Sequence, residues 1–172
     1  MLSGILKKKN NLKKVKMKKI KNPYANYENF NCFCCSPNNP IGLRMEFFED
    51  GDQIISYWQP KDYFQGYKNV LHGGIQTTLM DEIASWTVNI KAKTAGITSR
   101  IDVRFKKPVY INAEKITIKA TLKELSRKMA VIHTQLFNPD DQLCSEAIVT
   151  YYIFPPDIAK QKLGFPGYEE FF

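Results

Sequence analysis

The stretch Gly73-Gly74-Ile75-Gln76-Thr77-Thr78-Leu79-Met80-Asp81-Glu82-Ile83-Ala84-Ser85-Trp86-Thr87-Val88-Asn89-Ile90 changes the rhythm of the chain. Ile75, Leu79, Ile83, Trp86 and Ile90 recur every three or four residues, the spacing of one apolar face of a helix. The helix ends before Gly96, and roughly 18–20 residues of it span about 30 Å. On either side the pattern alternates. Leu43, Met45 and Phe47 point one way and Arg44 and Glu46 the other, a strand. Asp50-Gly51-Asp52 is a turn signal, so residues 54–58 read as the second arm of a hairpin. Residues 60–71, with Pro60 and Gly66, are irregular. Downstream, four strand-like runs cover about 97–107, 113–125, 128–138 and 142–154. The clearest sets Ile116, Ile118, Ala120 and Leu122 against Lys115, Thr117, Lys119 and Thr121. Asn138-Pro139-Asp140-Asp141 turns the chain between the last two. Two strands, one long helix and four strands predict an α+β domain whose curved antiparallel sheet wraps the helix's apolar face.

A chain of 172 residues suits one domain with a sizeable core. Its 44% apolar and 13% aromatic content is that of a soluble globular protein. No apolar run approaches the roughly 20 residues that cross a bilayer. The net charge of +8 is unevenly spread. Of 25 lysines and arginines, eight (Lys7, Lys8, Lys9, Lys13, Lys14, Lys16, Lys18, Lys19) fall in the first 20 residues beside no acid, leaving 17 against 17 acids in the rest. A nucleic-acid-binding domain carries its basic stripe on the folded part. The reading therefore predicts no nucleic-acid partner and no stable membrane association. It divides the chain into a basic, flexible extension (1–22), a domain (23–156) and an aromatic-rich tail without regular pattern that packs on it (157–172). Like-charge blocks are usually disordered; attraction to an anionic surface is the other reading of the extension, and Met17 is a second candidate start.

Three of the four cysteines, Cys32, Cys34 and Cys35, sit within four residues, with Cys144 far away. That is not the spaced framework of a secreted domain, and it points to a reducing, cytoplasmic setting. Cys32 and Cys35 have the spacing of half a zinc ligand set. With no second pair, and with His133 in a strand, the sequence predicts neither metal nor cofactor.

Gly73 and Gly74 stand where an irregular loop enters the helix, and glycine allows close backbone approach there. A helix's first turn presents unpaired N–H groups and a positive dipole end. Both stabilise an oxygen that gains negative charge, as an oxyanion hole must. Thr77, Asp81 and Ser85 form a polar stripe two turns along. Asp81 lies about 12 Å from Gly73 along the axis. An antiparallel helix of a two-fold partner would bring its own Asp81 beside this Gly73, which predicts a site shared across a dimer.

The segment from Phe64 to Glu82 resembles hotdog-fold thioesterases of the phenylacetate-pathway and human thioesterase-superfamily type. Their pattern is His-Gly-Gly, six residues, then Asp or Glu; here it falls on His72-Gly73-Gly74 and Asp81. The run Ile97–Val109 resembles the family's central strand, and Cys32–Leu43 the lead-in of one subgroup, so the likeness covers about residues 31–154. It implies a hotdog acyl-CoA thioesterase acting as a homodimer or as a homotetramer, a dimer of dimers. Asp81 would be nucleophile or general base, the Gly73 N–H would polarise the thioester carbonyl, and His72 with Gly74 would set the loop. Thr98 or Ser99 would position water. Several relatives have Asn or Gln where this chain has Gly66, and Gln65 is its stand-in. Glu82 is a second candidate carboxylate, and Ser85 a further substrate contact. Arg100, Arg104, Lys106 and Lys107 are candidates for the 3′-phosphate of coenzyme A. A non-catalytic acyl- or partner-binding hotdog module and a hotdog hydratase or dehydratase are the alternatives, and the carrier is coenzyme A or an acyl carrier protein.

Overall fold

The computed structural model describes residues 17–172; Lys7 to Lys16 of the basic extension lie outside the described residues. Seven strands form one antiparallel sheet in the order β1-β2-β3-β5-β6-β7-β4. They are β1 (Lys18–Ile20), β2 (Phe47–Asp50), β3 (Gln53–Trp58), β4 (Gly96–Phe105), β5 (Ile116–Leu125), β6 (Met129–Phe137) and β7 (Leu143–Ile153). Helix α1 (Gly73–Thr87) packs on the sheet, and a wider, π-type turn carries it to Ala92. This is the expected α+β hotdog architecture.

The long elements fall where their periodicity puts them. Along α1, Leu79, Ile83 and Trp86 are buried as the stripe requires, and Ile90 in the following turn likewise. Met80, Ala84 and Gln76 are buried as well, because a curved sheet covers more of a helix than one stripe. The Thr87 hydroxyl donates to the Ile83 carbonyl (2.8 Å), a competition for backbone acceptors that accompanies helix irregularity. Lys93, at φ 53°, then ends the helix. In β5, Ile116, Ile118 and Ala120 are buried, as the alternation requires. Gly51 takes a positive φ of 56° in the two-residue turn between β2 and β3.

Three segments differ from the sequence reading. Residues 43–46 are not in the sheet, although Leu43 and Met45 are buried. Their amides bond instead to the carbonyls of Phe33 (2.8 Å) and Cys34 (2.8 Å), and Arg44, at φ 54°, breaks the extended backbone. Lys18–Ile20, grouped with the basic extension, pairs with β2 and buries Ile20. The tail expected to lack regular structure contains a helix, α2 (Pro156–Leu163), with proline in its first turn and Gly164 as left-handed cap. Beyond it Phe171 is buried edge-on to Trp86 (5.6 Å between ring centroids), whose other neighbour is the stacked Phe47 ring (4.3 Å).

Strand β4 is an edge strand, hydrogen-bonded only to β7. Most of its residues are exposed, including Ile97 and Phe105. Its outer row of backbone N–H and C=O groups has no partner among the described residues.

Candidate active site

The loop before α1 is closed by its own backbone. The Gly66 amide donates to Val70 (2.9 Å), the Leu71 amide to Val109 (2.8 Å) and the His72 amide to Phe64 (2.9 Å). His72 is the N-cap of α1, and its Nδ1 accepts from the Gly74 amide (2.8 Å). With Nδ1 used as acceptor, the neutral ring carries its proton on Nε2. The imidazole thus holds the loop's shape. A Cβ on Gly74 would lie 3.0 Å from that Nδ1, and one on Gly73 would lie 3.3 Å from the Phe105 ring. The Gly73 N–H has no acceptor among the described residues, as befits the first residue of a helix. Buried Gln76 ties the start of α1 to the sheet, donating to the Leu71 carbonyl (3.2 Å) and accepting from the Ser145 hydroxyl (3.0 Å).

Gly73 opens onto a cleft of about 780 Å³, with His72, Gln65, Gly66, Phe105 and Lys107 on its walls. Gln65 is there, but its side-chain carbonyl accepts from the Asn69 amide (3.0 Å). Gly66 packs its backbone on His72, where a Cβ would come within 3.2 Å of the ring. Lys106 is tied to Glu146 (2.8 Å) and Lys107 to the Gln142 side chain (3.2 Å). Arg100 pairs with Asp102 (3.5 Å), and Arg104 lines a separate cleft with His133 and Glu146.

Asp81 is not on that cleft. Its Oδ1 accepts from the Thr98 hydroxyl (2.9 Å) and from the Tyr151 hydroxyl (2.9 Å), whose oxygen also lies 3.0 Å from the Asp81 carbonyl. Thr98 and Tyr151 are cross-strand partners on β4 and β7, so their side chains share a face. Burial, and then the Asp81 charge, pushes the Tyr151 hydroxyl above the usual range, which keeps it a donor. Oδ2 accepts no hydrogen bond from the described residues. A carboxylate fixed through one oxygen and open at the other can take a proton from water or attack a carbonyl carbon.

The remaining candidates separate. Thr98 reaches Asp81, whereas Ser99, the extra residue where the β4–β7 register shifts, bonds back to the Thr150 carbonyl (2.9 Å). Glu82 turns its carboxylate to the Trp86 indole (2.9 Å) and the cysteine turn, and burial followed by the Cys32 charge raises it to about 7. Ser85 lines a smaller pocket beside Glu82. Tyr151 escaped the sequence reading. Its signal was the alternation Val149, Tyr151, Ile153, which turns it inward, where a tyrosine hydroxyl needs a partner.

The sequence profile of the thioesterase superfamily matches residues 68–145, the segment that runs from the loop through α1 to β7. An uncharacterised Schizosaccharomyces pombe protein is 33% identical over 79 residues, which are 44% of this chain and 45% of that protein. The chain thus spans less than half of the curated relative it matches. Among solved structures, a Haemophilus influenzae thioesterase superposes with TM-score 0.62 at 23% identity, covering 70% of this chain and 85% of that one. A Streptococcus mutans protein solved bound to acetyl-CoA superposes with TM-score 0.60 at 18% identity, covering 65% and 90%. At these identities the structural likeness speaks for the fold. The profile match lies over the loop and helix that carry Gly73 and Asp81, on a chain whose fold is the hotdog fold of these thioesterases.

Proposed function

We propose that this protein hydrolyses acyl-CoA thioesters to a carboxylic acid and free coenzyme A. The observation that carries the reading is Asp81, held through Oδ1 by Thr98 and Tyr151 with Oδ2 open. The substrate carbonyl oxygen would lie against the Gly73 N–H, where the helix start favours the charge that develops on attack. Asp81 acts as general base toward water, or attacks the carbonyl carbon itself to give a mixed anhydride that water then hydrolyses to the acid and the free carboxylate. In either course the C–S bond breaks and coenzyme A leaves as thiolate. The cleft at Gly73 has room for the carrier arm, and Lys107, with no acid partner among the described residues, suits a phosphate. His72 uses Nδ1 to cap the helix, which favours hydrolysis over a hydratase that needs the imidazole in the chemistry. Asp81 would belong to one subunit and Gly73 to its partner, with β4 as the edge where a second copy adds. Four free cysteines accord with a reducing, cytoplasmic setting.

The test is thiol release from a panel of acyl-CoA substrates by the wild type and an Asp81→Asn variant. Release that falls at least ~10²-fold in the variant is expected for a positioned base. No release from the folded wild type on any substrate sinks the proposal. Release untouched by Asp81→Asn removes Asp81 from it.

A further inference from the structure

Away from the Gly73 cleft, the segment Cys32–Ser36 forms a tight turn in which the Ser36 amide donates to the Cys32 carbonyl (3.2 Å). The turn folds the Cys34 amide back onto the Cys32 sulfur (3.3 Å). Amides aimed at a sulfur stabilise its thiolate, the form that binds metals. Facing this turn is the Glu82 carboxylate of α1, its Oε1 4.0 Å from the Cys32 sulfur. The donor atoms of Cys32, Cys34 and Glu82 all lie within 4.8 Å of one another. No lysine, arginine or histidine among the described residues pairs with Glu82, whose Oε1 accepts from the neutral Trp86 indole (2.9 Å) and from the Cys32 thiol (4.0 Å).

The chemistry of this set is specific. Two thiols and a carboxylate, buried or half-buried together with no cationic side chain beside them among the described residues, suit a bound cation. Two sulfurs and one carboxylate suit a thiophilic divalent ion and not magnesium or calcium, which take oxygen ligands. Tetrahedral zinc, with Zn–S of about 2.3 Å and Zn–O of about 2.1 Å, sets sulfur and oxygen roughly 3.6 Å apart. The observed 4.0 Å needs a contraction of a few tenths.

We infer that Cys32, Cys34 and Glu82 form a site for a thiophilic divalent cation of the zinc class, clipping the cysteine turn to α1 one residue from Asp81. The sequence reading found no metal site because it sought a second Cys or His pair. The third donor comes instead from the helix, 50 residues away. The fourth position falls to water from the adjacent pocket of about 290 Å³, or to Cys35, which also lines that pocket.

The probe is cobalt(II), added to the fully reduced, metal-free full-length protein. The wild type is expected to bind one equivalent with a thiolate-to-cobalt charge-transfer band, and zinc(II) should displace it. Cys32→Ser should abolish the band, Glu82→Gln should weaken binding at least ~10-fold as for a lost metal ligand, and Cys144→Ser should change nothing. Circular dichroism of each variant checks that it is folded, and the wild-type result decides even where a variant is not. No charge-transfer band from reduced wild type overturns the inference, as does a band that survives Cys32→Ser or an affinity unchanged in Glu82→Gln. The readout is independent of thioester hydrolysis, so each proposal can fail without the other.

Discussion

Tyr151 and Thr98 both donate to Asp81 Oδ1, so under the proposed function their removal should misplace the carboxylate without emptying the site. A hydrogen bond to a charged group is worth roughly 1.5–3 kcal/mol, which corresponds to about 10- to 100-fold in rate if it acts in the transition state. Tyr151→Phe is therefore expected to lower kcat by that factor with KM little changed, read by steady-state thiol release. A rise in KM with kcat unchanged would remove the positioning role. Gly73→Pro tests the other half of the site. Proline is tolerated at the first helical position, and His72, at φ −57° and ψ 134°, already has the backbone a pre-proline residue prefers. The exposed Phe105 ring, 3.3 Å from a Cβ at this position, can turn aside. The substitution deletes one N–H and keeps the fold, and kcat should fall about 10²-fold, the loss typical of one oxyanion donor. At this scale the sequence was informative where chemistry is local. His72, Gly73, Gly74 and Asp81 lie on one loop and helix, and their spacing could be read directly. Thr98 and Tyr151 meet Asp81 only because β4 pairs with β7, and no local pattern encodes that pairing.

Among the elements, the join of β4 to β7 has the least tolerance. Gly96 opens β4 opposite Ile153, and a Cβ there would lie 2.4 Å from the Tyr152 carbonyl oxygen. That neighbour is backbone, so the strands must part. Gly96→Ala should cost about 3 kcal/mol, the upper end for overpacking, measured by chemical denaturation. An unchanged midpoint would mean that the strand ends move freely. Phe171 makes the opposite test, because it fills space over α1 beside Trp86. Phe171→Ala should cost roughly 3–5 kcal/mol through the cavity it leaves. The same contrast explains which elements could be read in advance. The helix and the five longer strands repeat their period for long enough to stand out. Lys18–Ile20 is three residues long and reads as the end of a lysine run, so its pairing with β2 is a tertiary outcome. Residues 43–46 alternate like a strand and are buried like one, yet they pair with the cysteine turn, because alternation reports burial and not the bonding partner.

At the scale of the whole molecule, one chain holds both halves of the proposed site but keeps them apart. Asp81 lies eight positions along the helix from Gly73, about 12 Å along the axis, and is absent from the walls of the Gly73 cleft. The open edge of β4, with Ile97 and Phe105 exposed, is the kind of edge that a second strand completes. A two-fold pairing there is isologous, so each subunit would lend its Asp81 to the other's Gly73. This arrangement makes a quantitative prediction. Asp81→Asn and Gly73→Pro should each be nearly inactive alone. If the two are mixed, unfolded and refolded together, half of the dimers are heterodimers. Each of those has one site built from an intact Asp81 and an intact Gly73, and the other carries both defects. The mixture should recover about a quarter of the wild-type rate, given random two-fold pairing. A site contained within one chain recovers nothing, because every chain then carries a defect. Ile97→Glu, which puts a charge on the β4 edge, should shift the protein to a monomer in light scattering and abolish thiol release together. Full activity in a proven monomer would place Asp81 and Gly73 in one subunit and require the helix start to be reached by some other path.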